Sequence, residues 1–368
     1  MNFDLSDEGR MLQDGLRRYL TGAYTPAARA EAAEHGFSAE IWAGLAEMGV
    51  IGALFPEEEG GFGGTGFDIA LVFEELGRVG AVDPLIDTGI LGGGVLAAAG
   101  RLDDLEAVIG GGMQLALAHG EPGSRYDLAR VEATATRSDD GWALAGRKAV
   151  VVNAGRADRI VVSARTSGGR AEPAGITLFL VDPELLELAP YPLVGGGMAS
   201  EIALDGVTVP GDAVLGEVGE GHAILQAVTA RATLALSAEA LGLMEAVRAL
   251  TVDYLRTRKQ FGQPIGKFQV LQHRMADVLI EIEQARSAVI NLAGHIDSGD
   301  RELHLHATKN LIGEVARLVV EESIQMHGGI GVTEEYDLGR LVKRLTMVDH
   351  RFGDTLYHLE RFIALRAA

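Results

Sequence analysis

The sequence predicts an α+β protein, mostly α, with an N-terminal helical domain over residues 1–112, a middle β domain over 113–221 and a C-terminal helical bundle over 222–368. Apolar residues recur at helical spacing near the start, short β-branched runs fill the middle, and a 3.5-residue apolar repeat occupies the last third. A chain of 368 residues also exceeds the usual single-domain size, so two or three subdomains are expected.

In the first region Met11, Leu16, Tyr19 and Leu20 mark one helical face, and Ile41, Leu45 and Met48 mark another. Ser38 stands directly before Ala39-Glu40-Ile41-Trp42, which predicts a helix start there. The middle region changes period. Ile160-Val-Val-Ser-Ala164, Ile176-Thr-Leu-Phe-Leu-Val181 and Ile202-Ala-Leu204 read as strands, bounded by turns such as Ser138-Asp-Asp-Gly141 and Thr166-Ser-Gly-Gly169. In the third region Leu271, Met275, Val278, Ile282, Ala285, Val289 and Leu292 advance by steps of four and three along one seam. Arg274, Asp277, Glu281 and Arg286 lie away from it, as in a bundle of long antiparallel helices.

Composition narrows the function classes. Hydrophobic residues make up 47% of the chain, ample for a globular interior. With no cysteine, disulfides, thiolate metal sites and cysteine nucleophiles are excluded, which fits a cytoplasmic location. Met1-Asn-Phe-Asp-Leu-Ser-Asp-Glu8 has neither a basic nor an apolar signal region, so no signal peptide is expected. Apolar windows such as Ile90 to Gly100 are too short and glycine-rich to span a bilayer. A net charge of −20 disfavours nucleic acid and anionic membranes as partners. It does not exclude an anionic cofactor, because screening limits the reach of that charge to about 8–10 Å.

Gly61-Phe-Gly-Gly-Thr-Gly66 satisfies the dinucleotide fingerprint G-x-G-x-x-G, but Pro56-Glu-Glu-Glu59 stands where the fingerprint needs a strand, so a structural loop is expected. No metal site is expected either. His304 and His306 are two apart on a helix and face different ways, while His327 and His350 stand alone in the sequence.

Two segments carry the most specific signal: Tyr254-Leu-Arg-Thr-Arg-Lys-Gln-Phe-Gly-Gln-Pro-Ile-Gly-Lys-Phe-Gln269 and Gln325-Met-His-Gly-Gly-Ile-Gly331. Together they resemble the flavin-binding signatures of the acyl-CoA dehydrogenase family. Trp42-Ala-Gly-Leu-Ala-Glu-Met-Gly49, Phe55-Pro-Glu-Glu-Glu-Gly-Gly61, Glu74-Glu-Leu-Gly-Arg78, Val207-Thr-Val-Pro210 and Val214-Leu-Gly-Glu217 extend the resemblance over essentially the whole chain. It implies a middle β-barrel or sandwich, a C-terminal four-helix bundle and FAD as cofactor. It gives Arg258 the FAD pyrophosphate, bound mainly by a neighbouring subunit, with Gln260 a polar contact and Phe261 an apolar wall. Gln325, Gly328 and Gly329 would form the other side of that site. From the residues alone, Arg258 also reads as one solvated charge among several, and the glycines as a helix cap.

The chain departs from the family pattern at the flavin ring and at the base. His119-Gly-Glu-Pro-Gly-Ser-Arg-Tyr-Asp127 keeps Glu121-Pro122 and Gly123-Ser124 with altered spacing, and Val150-Val-Val-Asn153 replaces the usual Trp-Ile-Thr-Asn. The position of the family's catalytic glutamate falls on Phe352 or Gly353, and the alternative position on Ala232, beside Thr233. Asp354 is the candidate catalytic residue left in that turn, with Asp349 and Glu239 as further acids. Asp354 also reads as an Asx cap on the N–H of Leu356 or Tyr357.

The resemblance implies an FAD-dependent acyl-CoA dehydrogenase forming a 2-enoyl-CoA by α-proton abstraction and β-hydride transfer. The implied partners are an acyl-CoA substrate, an electron-transferring flavoprotein, and further subunits in a homo- or hetero-oligomer. The N-terminal Met1–Glu8 block, Gly36-Phe-Ser-Ala-Glu-Ile-Trp-Ala43, Lys343-Arg-Leu-Thr-Met347 and Phe352-Gly-Asp354 resemble the pimeloyl-CoA dehydrogenase small-subunit group. That implies the alternative of a non-catalytic or half-site subunit working with a second, related chain. A binding protein for CoA esters without redox chemistry is a third reading, disfavoured by the intact Arg258 and Gln325 motifs.

Overall fold

The computed structural model describes residues 7–333 and 335–367. Most of the Met1–Glu8 block therefore lies outside the described residues. The chain divides into two compact units, one formed by Met1–Tyr24, Gly66–Ala81 and Thr233–Ala368, the other by Thr25–Thr65 and Val82–Ala232.

The N-terminal helices are α1 (Asp7–Ala23), α2 (Pro26–His35), α3 (Ala39–Glu47), α4 (Gly66–Val79), α5 (Gly94–Ala98) and α6 (Leu102–Ile109). Strands follow: β1 (Leu115–Ala118), β2 (Thr134–Ser138), β3 (Gly141–Ala145), β4 (Arg147–Val152), β5 (Arg159–Arg165), β6 (Ile176–Val181), β7 (Glu187–Pro192), β8 (Met198–Ala203), β9 (Val207–Pro210) and β10 (Val214–Leu215). The last third holds α7 (Gly221–Thr257), the small hairpin β11 (Lys259–Gln260) and β12 (Gln263–Pro264), then α8 (Gln269–His295), α9 (Arg301–His327), α10 (Asp337–Met347) and α11 (Thr355–Ala367). No helix among the described residues is long and apolar enough to cross a membrane.

The first unit is helical. The predicted seam on α8 is the buried one: Met275, Val278, Ile282, Ala285, Val289 and Leu292 are all in the core. Helix α9 packs along α8 and α11, α10 lies against α9, and α1 and α4 pack together with α4 on α8. Two glycines set how closely α4 and α7 cross. A Cβ on Gly77 would lie 2.1 Å from the Glu239 carbonyl oxygen, and one on Gly242 would lie 2.1 Å from that of Glu74. Arginines neutralise the carboxylates buried beside this crossing. Arg17 and Arg78 meet Glu75, and Arg286 bridges Glu74 and Glu245 at 3.0 and 2.5 Å.

The second unit carries two sheets. Among the described residues one has seven strands, in the order β10-β6-β5-β2-β3-β9 with β1 beside β5, and the other has three, β4-β8-β7. Trp142, Leu144, Val151, Phe179 and Ile202 belong to the core that both sheets share. Helix α3 is tied to this unit by Trp42, whose indole N–H donates to the Gly111 carbonyl at 2.9 Å. Ser38 occupies the cap position of α3 but does not cap it through its own side chain. Glu31 from α2 takes that role, accepting from Ser38 Oγ at 2.7 Å and from the Ala39 N–H at 3.2 Å. The Gly61–Gly66 stretch is a loop between a 3-10 turn, Glu57–Glu59, and α4, so the fingerprint lacks its preceding strand.

Gly77→Ala and Gly242→Ala each force backbone apart at the α4–α7 crossing. Each should lower unfolding free energy by about 1–3 kcal/mol or more, read as a lower urea midpoint, because neither neighbouring carbonyl can rotate away.

Candidate functional site

The first predicted motif is a short hairpin at the end of α7. Its two turn residues, Phe261 and Gly262, have φ of 52° and 78°. A positive φ at both central positions suits the type I′ turn that follows strand twist, and it projects Phe261 outward. That side chain is 90% exposed and stands T-shaped to Phe268, with ring centroids 6.0 Å apart. The Arg258 backbone is held at both ends, its N–H donating to Tyr254 O and its carbonyl accepting from the Ile265 N–H, each at 2.8 Å. The Arg258 side chain is exposed, and so is Gln260, whose amide donates to the Lys259 carbonyl at 2.9 Å.

The second motif closes α9. Gln325, Gly328 and Gly329 are all exposed. Gly328 needs its glycine for a φ of 66°, whereas Gly329 has an ordinary φ and nothing within 4 Å of a would-be Cβ. Among the described residues nothing requires glycine at 329. A ligand approaching the backbone would require it, and an exposed arginine on the adjacent hairpin suits an anionic one. His327 joins the two motifs by stacking on Tyr254, with centroids 4.5 Å apart. Its Nδ1–H donates to the Ser323 carbonyl at 2.8 Å, and burial pushes its pKa down.

The Arg351–Thr355 turn is built from its neighbours. Lys309 on α9 is fully buried and donates from Nζ to the Gly353 carbonyl at 2.7 Å. Burial lowers its pKa to about 8, against the opposing pull of Asp349 and Asp354. Asp349 accepts from the Thr355 N–H at 2.9 Å and from its hydroxyl at 2.8 Å. Gly313 makes room for that contact, since a Cβ there would lie 2.2 Å from Asp349 Oδ1. Asp354 accepts from the Tyr357 N–H at 2.8 Å, the cap geometry anticipated for it at the start of α11.

His358 shapes the underside of the turn. Its Nε2–H donates to the Phe352 carbonyl at 3.1 Å, and its Nδ1 lies 2.8 Å from Nδ1 of His306. This leaves His358 neutral and accepting from His306. Burial, with the nearby Lys309 and His306, takes its pKa down to about 3. A Cβ on Gly353, where φ is 118°, would sit 2.3 Å from that Nε2. The turn is therefore formed around His358, and a glutamate cannot simply be restored at Gly353. At the alternative position Ala232 is buried and neutral, and Glu239 is neutralised by Arg344. Lys309 and Gln325 are sixteen positions apart on α9, about 24 Å of helix axis, so one chain does not bring the Asp354 turn to its own Gln325 segment.

The β unit has its own buried charges. Lys148 Nζ donates to Glu121 at 2.6 Å, to Ser163 Oγ at 3.1 Å and to the His119 carbonyl at 3.3 Å. Ser163 in turn lies 2.9 Å from His119 Nδ1, a neutral acceptor whose pKa burial and Lys148 lower to about 3. Glu121 also accepts from the N–H groups of Glu132 and Ala133, at 2.6 and 3.0 Å. The Asn153 amide donates inward to Gln114 Oε1 and Leu115 O, each at 3.3 Å. Val150 is 56% exposed with a φ of 54°.

Sequence reasoning passed over Lys309, Lys148 and both histidine–histidine contacts. Lys309 had a legible signal, since it lies four residues after Leu305 and three before Ile312 on the buried face of α9. His304 and His306 do face apart, but each meets a histidine from another helix, His295 and His358, which spacing along α9 cannot reveal.

Sequence models of the acyl-CoA dehydrogenase N-terminal, middle and C-terminal domains match residues 6–101, 116–196 and 219–360. The chain belongs to the acyl-CoA dehydrogenase family. Among its relatives is a 3-(aryl)acrylate reductase of Clostridium sporogenes, 30% identical over 85% of this chain and 86% of the relative. A benzylmalonyl-CoA dehydrogenase of Aromatoleum aromaticum is 29% identical, with 95% of each chain covered. Similar solved structures include the butyryl-CoA dehydrogenase of Megasphaera elsdenii, with TM-score 0.91, 27% identity and 100% of both chains covered. An FAD complex of PigA has TM-score 0.92 and 25% identity, covering 100% of this chain and 99% of PigA. A variant of the Tcur3481-Tcur3483 steroid ACAD has TM-score 0.87 and 31% identity, with 98% of both chains covered. The family is one of FAD-dependent oxidoreductases, and its fold here is the expected one: N-terminal helices, a middle β domain and a C-terminal helical bundle.

Two outcomes follow from the buried groups. Lys309→Met leaves the Gly353 carbonyl without its donor, so stability should fall by about 1–3 kcal/mol and amides 349–356 should exchange faster. His119 and His358 have folded pKa values near 3 against an ordinary 6.5. The unfolded chain then takes up protons that the folded one refuses, so the urea midpoint should decline as pH falls from about 6.5 towards 3.

Proposed function

We propose that this chain is a half-site subunit of a heteromeric FAD-dependent acyl-CoA dehydrogenase that forms a 2-enoyl-CoA. The observation that carries the reading is the Arg351–Thr355 turn. Phe352 and Gly353 stand at the position of the family's base, while Asp349 and Asp354 hold backbone N–H groups. A general base must have a lone pair within hydrogen-bond reach of the α-carbon, and a carboxylate committed to a helix cap is poorly placed for that. The base then belongs to the other chain of the assembly. The paired name of the Tcur3481-Tcur3483 neighbour supports a mixed oligomer.

FAD, when bound, would supply the hydride acceptor of the reaction. Arg258 would supply a counter-charge to its pyrophosphate, Phe261 an apolar wall, and Gln325 with Gly328 and Gly329 a backbone approach from the other side. All of these face outward on this chain, as a site completed by a neighbouring subunit requires. An electron-transferring flavoprotein would reoxidise the flavin, and the cytoplasm is the proposed location. The self-sufficient enzyme with Asp354 as base is the competing reading, favoured by the place of Asp354 in the turn.

The visible spectrum of the chain purified alone separates these readings, before and after anaerobic addition of a panel of acyl-CoAs. Little flavin, or flavin that stays oxidised until the partner chain is added, is the expected result. Stoichiometric flavin that bleaches without a partner, and no longer does so in Asp354→Asn, would overturn it. In the assembled oligomer Arg258→Gln should weaken FAD retention about ten- to a hundredfold, from the loss of one charge-assisted contact.

A further inference from the structure

We propose that the connection between α8 and α9 is a zinc site formed by His295, Asp300 and His304. His295 is the last residue of α8, Asp300 is the cap residue of α9, and His304 follows one helical turn later. One ligand atom from each lies within 4.8 Å of the other two. Two imidazole nitrogens and a carboxylate oxygen are the donors of open zinc sites, in which water completes the tetrahedron.

The second observation is the support behind the rings. Ligating histidines hold their outward nitrogen by donating from the other one to a fixed acceptor. His295 does this already, its Nδ1–H donating to the Asn291 carbonyl at 2.8 Å. The same Asn291 donates from its side-chain Nδ2–H to His304 Nδ1 at 2.7 Å, an arrangement that keeps the ring proton on Nε2. A half-turn of that carboxamide presents Oδ1 to an Nδ1–H and leaves the His304 Nε2 lone pair outward. Asp300 is steadied by Ser298, whose hydroxyl donates to Oδ1 at 2.7 Å, and Oδ2 lies 3.5 Å from His304 Nε2.

The two rings stack with centroids 3.9 Å apart and planes 25° from parallel. Zn–N bonds of about 2.0–2.1 Å bring the donor atoms to about 3.3 Å from one another, so binding fans the rings apart and draws Asp300 in. Asp300 is 61% exposed, so its carboxylate has room to swing in that way. The bound ion would clamp the end of α8 to the start of α9. Neither the flavin motif nor the Arg351–Thr355 turn contributes a ligand, so the site stands or falls independently of the proposed function.

The test is a titration of the full chain with zinc chloride against a chromophoric zinc chelator. One equivalent per chain is expected, with a rise in melting temperature. His304→Gln and Asp300→Asn should each abolish that competition, Asn291→Ala should weaken it about 10–100-fold, and the exposed control His273→Gln should leave it unchanged. Because Asp300 is on the surface, its variant tests the site without threatening the fold. Failure of the chain to compete, or zinc binding that persists undiminished in Asp300→Asn and in His295→Gln/His304→Gln, would overturn the proposal.

Discussion

The Lys309 ammonium, buried on α9 and bonded to the Gly353 carbonyl, is the constraint around which the chemistry of this chain is arranged. A charge out of water has to be matched, and Asp349 and Asp354 flank it. Those two carboxylates then have two tasks, balancing the ammonium and capping the start of α11. His358 completes the arrangement from below, neutral and bonded to the Phe352 carbonyl. The result is a turn in which the Phe352 and Gly353 carbonyls and both acids have structural partners, which is a poor setting for a group that must pick up a proton from substrate.

The same logic recurs elsewhere in the helical unit. Glu75, Glu239 and Glu245 are buried, and each meets arginine. Pairs of this kind contribute little net stability when formed but are costly to break, because one charge is left buried alone. They also remove these acids as candidates for an unrecognised base. In the β unit Glu121 is likewise held by Lys148 and two backbone N–H groups, so the Glu-Pro element braces β4. By contrast, the outward motif residues Arg258, Phe261 and Gly329 have few demands from their own chain. Groups that the fold does not use are the ones available to a cofactor or a neighbouring subunit.

Much of this was legible in the residues alone. Periodicity suffices for the α8 seam, because a helix buried on one side must repeat its apolar residues every three or four positions, and Met275 to Leu292 do so. The two segments that resemble the family's flavin-binding signatures are contiguous stretches and can be recognised without a fold. That the Arg351–Thr355 turn contains no glutamate is likewise a fact of the sequence. Which N–H faces Asp354 depends on the fold, and the fold brings it the N–H of Tyr357.

Tertiary structure alone decided the pairings between distant residues. Lys309 meets Gly353, His306 meets His358, His295 meets His304, and Glu31 rather than Ser38 caps α3. A sequence reports the spacing within one helix, whereas these contacts depend on how neighbouring helices are rotated and how closely they approach. That approach is set by glycines such as Gly77 and Gly242, whose missing side chains carry no signal of the partner they admit. The sequence by itself determined the family, the helical and β regions and the absence of a glutamate in the turn. Packing decided which acids are committed to backbone and arginine, because burial makes each polar group find a partner wherever the fold brings one.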